Sequence, residues 1–105
     1  MSSIDRRSSP RLPLVKPAKI FLRGTWRYLP AKTRDVSTSG ALLELSEDRD
    51  VHVGDTVDLA IAERASAILR TDEFIAGRIV RISPGQQPGS ITAAVHLSRP
   101  PAHTL

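Results

Sequence analysis

At 105 residues, with 40% hydrophobic and 25% charged side chains, the chain suffices for one folded domain with a core and is too short for two. It has no cysteine, no apolar run near the roughly 20 residues of a membrane helix and no apolar leader. This excludes disulfide scaffolds, thiolate metal sites, cysteine nucleophiles and membrane insertion, and the expected location is the cytoplasm. A net charge of +4 invites an anionic partner, and twelve of the 15 basic residues are arginine, the side chain suited to gripping phosphate bidentately.

Residues 1–13 are rich in Ser, Arg and Pro, the composition of a flexible basic arm that is mobile until something binds it. The folded body is expected over 14–98 and a tail over 99–105. Ala18, Ile20 and Leu22 alternate with Lys19, Phe21 and Arg23, and Gly24-Thr25 turns the chain into a second strand over Trp26–Thr33. A polar turn at Asp35–Gly40 leads into Ala41–Leu45, and a second turn falls at Val53-Gly54-Asp55.

Thr56–Ala62 alternates with Val57, Leu59 and Ile61 on one face, which predicts a strand, with a loop and a short strand near Ala67–Arg70 after it. Phe74–Ile82 and Ile91–Leu97 flank the Pro84–Gly89 loop as a second hairpin, with Ile91, Ala93, Val95 and Leu97 on one side. Strict alternation puts Arg78 and Arg81 on opposite faces, so only one of them can look toward a given ligand. Five to seven short strands separated by Gly and Pro turns point to a small antiparallel barrel, whose closure removes exposed edges. Trp26 and Tyr28 are expected to bury against the core.

Two short motifs carry chemistry. Arg7-Ser8-Ser9-Pro10-Arg11 is an RxxxR, and Asp35-Val36-Ser37-Thr38-Ser39-Gly40 is a DxSxxG. Arginine forks grip phosphate, read the O6/N7 edge of guanine and stack on purines. Asp and Ser place short hydrogen-bonding groups at a turn, and Gly admits close backbone approach. Each motif also has a plain reading, a solvated basic tail and a strand connection. His52, His96 and His103 match no metal-ligand spacing, and no catalytic constellation stands out, so no metal, cofactor or enzymatic activity is expected.

In fixed order and spacing, RxxxR before the first strand and DxSxxG followed by Ala41-Leu42, the chain resembles the PilZ domain family of bacterial receptors for the second messenger cyclic di-GMP. The resemblance runs over roughly residues 6–97 and includes the Val53-Gly54-Asp55 turn and Gly77-Arg78-Ile79-Val80-Arg81. It implies an all-β, six-stranded antiparallel barrel, with the arm wrapping over a ligand held against the DxSxxG surface. It further implies ligand contacts from Arg7 and Arg11 and a barrel-side pocket of Asp35, Ser37 and Gly40. Arg6, just before the motif, is the extra arginine that the family associates with an intercalated ligand dimer. One departure is the last strand, where Thr92-Ala93-Ala94-Val95-His96-Leu97 stands for a Gly-apolar-apolar-x-Phe pattern.

The reading is therefore a non-enzymatic effector that binds cyclic di-GMP and signals to a partner protein. Two rivals belong to other classes: a basic barrel binding single-stranded nucleic acid, and a PilZ-type scaffold that works without ligand. Single-strand binders spread aromatic residues over an open sheet, and the chain has only Phe21, Trp26, Tyr28 and Phe74 for that task, which weighs against nucleic acid.

Overall fold

The structure, a computed structural model, describes residues 12–13, 15–46, 50–62 and 74–99. Arg6, Arg7 and Arg11, the strand expected near Ala67–Arg70 and the tail beyond Arg99 lie outside the described residues. Seven strands follow one another: β1 (Leu12–Pro13), β2 (Pro17–Leu22), β3 (Arg27–Val36), β4 (Gly40–Ser46), β5 (Thr56–Ile61), β6 (Ile75–Pro84) and β7 (Ser90–Leu97). The order around the sheet is β3, β2, β5, β6, β7, β4, every neighbouring pair is antiparallel, and β4 pairs back onto β3. The result is the expected six-stranded closed barrel. The short β1 is an addition to it: Leu12 and Pro13, assigned to the arm by composition, pair with Val36 and Asp35 on the stretch of β3 that β2 leaves open.

Alternation fills the lumen. Ile20 from β2, Val36 from β3, Leu43 from β4, Val57 and Leu59 from β5 and Ile79 from β6 are all but inaccessible, and Ala93, Val95 and Leu97 of β7 pack among them. The core consists of Ile, Leu, Val and Ala and contains no aromatic ring. Trp26 and Tyr28 are instead 82% and 59% exposed, against the expectation that they bury. Leu29 points inward, so its neighbour Tyr28 must point out, opposite Phe21, and Trp26 sits in the β2–β3 turn.

Two β-bulges break the simple alternation. In β3 the register shifts between Thr33 and Asp35, so Arg34 and Asp35 both lie between the inward-facing Thr33 and Val36 and both look outward. In β6 it shifts between Ile79 and Arg81, with Arg78 opposite His96 and Arg81 opposite Ala94. Arg78 and Arg81 therefore share the outer face, contrary to the expectation from strict alternation. The inserted residue Val80, 51% exposed, accounts for the change of side.

Thr33 is the one polar side chain among the largest fully buried ones. Its hydroxyl accepts a 2.9 Å hydrogen bond from the Lys16 amide, and its own amide donates to the Lys16 carbonyl at 2.9 Å. This clasp fastens the segment between β1 and β2 to the wall. Thr33→Val keeps the shape but leaves the Lys16 amide without that acceptor, and should lower stability by about 1–3 kcal/mol in chemical denaturation. An unchanged denaturation midpoint would show the clasp to be dispensable.

Candidate ligand-binding site

The DxSxxG hexapeptide joins β3 to β4, and its residues divide into two roles. Ser37, only 8% exposed, works on the turn itself. Its Oγ accepts from the Gly40 amide at 3.1 Å and the Ser39 amide at 3.3 Å, while its backbone amide donates to the Gly40 carbonyl at 2.8 Å. The turn is tied to the neighbouring strand as well, since the Leu97 amide donates to the Ser39 carbonyl at 2.9 Å. Gly40 stands where β4 comes closest to β7: a Cβ there would lie 2.5 Å from the Val95 carbonyl oxygen. Asp35 is half-buried on the outer face, which the bulge at Arg34 makes possible.

Strand register reveals what surrounds Asp35. One outward row runs from Asp35 through Leu42 and Ala94 to Arg81. The next outward row runs from Gly40 through His96 and Arg78 to Thr56. Between them the wall has small residues, Gly40 and Ala94, bordered by a carboxylate at one end and two guanidinium groups at the other. At strand spacings of about 4.8 Å, Asp35 and Arg81 stand roughly 14 Å apart. Beside Gly40, an open depression of about 390 Å3 is lined by Thr56, Ala76, Gly77, Arg78, Val80, His96 and Ser98. Gly77 deepens it by necessity, as a Cβ there would meet the His96 carbonyl oxygen at 2.8 Å.

Of the residues expected at the site, Asp35, Ser37 and Gly40 are thus together on one end of the barrel, and β1 brings the chain just after Arg11 alongside Asp35. Sequence reasoning missed Arg81 and His96 as their neighbours. Arg81 was hidden by the β6 bulge, and His96 by a cross-strand pairing that no local spacing announces. A polar brace supports this wall: Arg34 reaches the Glu44 carboxylate at 3.5 Å, and Ser90 donates to the same carboxylate at 3.3 Å, linking β3, β4 and the start of β7.

Gly40→Ala should destabilise the fold by about 1–3 kcal/mol, because the added methyl group forces β4 and β7 apart. Gly24→Ala, whose Cβ meets nothing within 4 Å, serves as the control and should change stability little. Thermal unfolding of both variants checks this; equal midpoints would remove the steric explanation for Gly40.

Comparison with known proteins agrees with this architecture. The model of the PilZ domain matches residues 5–104. Among solved structures, the chain is similar to the Bacillus subtilis inhibitor of motility MotI/DgrA, with a TM-score of 0.70 at 17% identity, covering 94% of this chain and 46% of that one. The chain therefore spans about half the length of that protein, and at this identity the likeness concerns the fold. No curated protein sequence matches significantly. Among the described residues no helix is long and apolar enough to cross a membrane. Matched over nearly its whole length by the family model and sharing the barrel, the chain belongs to the PilZ domain family of non-catalytic, cyclic di-GMP-binding domains.

Proposed function

We propose that the chain is a non-enzymatic receptor in which the RxxxR arm and the DxSxxG wall close on cyclic di-GMP, and that a partner protein reads the closed form. The observation that carries this reading is the pairing of β1 with β3. Leu12, the residue bonded to Arg11, lies opposite Val36, and Pro13 lies opposite Asp35. The residues that follow Arg11 thereby pair with the strand that carries Asp35, more than twenty positions further along the chain, which supports an arm that reaches the DxSxxG turn.

The chemistry divides between the two halves. Cyclic di-GMP offers two phosphates and two guanines. Arg7 and Arg11 supply charge-assisted forks for phosphate and flat surfaces for stacking on guanine, and Arg6 adds a third guanidinium. Ionised Asp35 is an acceptor only, which suits the N1–H and N2–H edge of guanine. Ser37 and Gly40 act through the backbone, holding the turn in shape and keeping the floor flat. Arg78 and Arg81 flank that floor from β6. With three arginines in the arm, an intercalated pair of ligands is the expected load. Fixing the arm costs chain entropy, so ligand contacts supply the free energy of closure, and the altered surface is what a partner senses.

Titration calorimetry tests the reading. Wild-type protein should release heat with micromolar cyclic di-GMP and saturate at two ligands per domain. Arg7→Ala, Arg11→Ala and Asp35→Ala each remove a charged hydrogen bond of about 1.5–3 kcal/mol, so each should weaken binding roughly 10- to 150-fold. Absence of heat with the wild type would end the receptor reading in favour of a ligand-independent scaffold. Undiminished affinity in Arg11→Ala would place the site elsewhere.

A further inference from the structure

All four aromatic side chains of the protein gather outside the barrel, at the end of β3 away from Asp35. Phe21 and Trp26 meet edge-on at 5.9 Å, Phe21 and Tyr28 are tilted at 4.8 Å, and Tyr28 meets Phe74 at 6.0 Å. Tyr28 and Asp35 are seven positions apart on one strand, roughly 23 Å at about 3.3 Å per residue, so the cluster is separate from the DxSxxG wall. A barrel whose core lacks any aromatic ring has gathered its four aromatic side chains in one outer cluster, with Trp26 and Tyr28 exposed and Phe21 and Phe74 half-buried.

Trp26 has a further peculiarity. It adopts φ 58°, the one non-glycine residue with positive φ among the described residues, although left-handed backbone disfavours bulky side chains. The Trp26 amide donates to the Leu22 carbonyl at 2.8 Å, which holds this turn. Glycine would serve the conformation better, so a strained and 82% exposed indole stands at a position that local backbone preference disfavours.

The charges around the patch say what fits it. Arg23 is held by a two-pronged contact with Asp58 at 2.6 and 2.9 Å, and Arg27 meets Asp50 at 2.6 Å, so the hairpin end carries its charge in matched pairs. Lys19 and Lys32 are different. They project from the same outer face as Phe21 and Tyr28, opposite Pro30 and Pro17 respectively, and have no carboxylate partner among the described residues. The surface is thus aromatic at the hairpin and cationic farther along β2 and β3. Single-stranded nucleic acid fits poorly: the rings meet one another edge-on or tilted, the Lys19 ammonium stands 5.6 Å over the Tyr28 ring, and Asp50 and Asp58 border the patch.

We infer that this patch is a docking surface for a protein segment whose apolar anchors pack on Trp26, Tyr28 and Phe74 and whose carboxylates meet Lys19 and Lys32. Aromatic anchors of this kind dominate binding energy at protein interfaces, and complementary charge sets orientation. The surface stands independently of the cyclic di-GMP reading.

Trp26 is the only tryptophan, so its emission reports occupancy of the patch directly. A random peptide library displayed on phage is panned on the full chain without cyclic di-GMP and counter-selected on Trp26→Gly, and the enriched peptides are synthesised and titrated. Enriched sequences should combine Leu or Phe anchors with Asp or Glu and shift Trp26 emission to the blue. Labelled-peptide anisotropy should show at least tenfold weaker binding to Trp26→Gly and to Lys19→Glu, while the thermal midpoint of Trp26→Gly is equal to or above that of wild type. Tyr28→Ser gives a second measure of the aromatic contribution should Trp26→Gly fold poorly. Enrichment of basic or uncharged peptides, or binding indifferent to Lys19→Glu, would overturn the inference. So would a larger emission change with oligothymidylate, which would assign the patch to nucleic acid, or a blue shift on concentrating the protein alone, which would assign it to a second copy.

Discussion

Strand β3 is where the barrel closes, where the arm is rooted and where the site begins. On one edge it pairs with β2 and then with β1; on the other it pairs with β4. A strand used on both edges along this length must keep its inward side chains in the core, and the bulge at Arg34 is what allows Asp35 to leave that core while Val36 stays in it. Without the extra residue, Asp35 would follow Thr33 into an aliphatic lumen, where an ionised carboxylate is not tolerated unpaired. The outward carboxylate is the consequence of one local irregularity.

The β6 bulge works in the same way on the far side of the wall. Val80 takes up an extra position, Arg81 turns outward, and a floor of Gly40 and Ala94 is left between Asp35 and the arginines of β6. The DxSxxG residues then contribute unequally. Asp35 presents its carboxylate, whereas Ser37 and Gly40 are explained largely by the turn and by the close approach of β7. A motif that reads as three ligand contacts is also a recipe for a tight, flat corner.

Much of the fold was legible because apolar alternation maps directly onto a barrel wall: Val57, Leu59 and Ile61, or Ile91, Ala93, Val95 and Leu97, name their own inward faces. The DxSxxG motif, read as a polar turn between two strands, is the connection between β3 and β4. What escaped was whatever depends on parity or on distant pairing. A bulge is one residue long and leaves no compositional mark, so Arg78 and Arg81 were placed on opposite faces. His96 became a neighbour of Gly40 only through the β4–β7 register. Trp26 and Tyr28 were assigned to the core by general hydrophobic preference, but Ile, Leu, Val and Ala already fill this lumen, and strand parity turned Tyr28 out. The seventh strand, two residues within a basic arm, had too little pattern to be seen.

The most direct test of the account is a map of backbone amide shifts of the 15N-labelled protein on adding cyclic di-GMP. The account predicts perturbations centred on Asp35–Gly40, spreading to Ala94, His96, Arg78 and Arg81, with the Trp26 indole signal unmoved. Shifts confined to the aromatic patch, or none at saturating ligand, would contradict it.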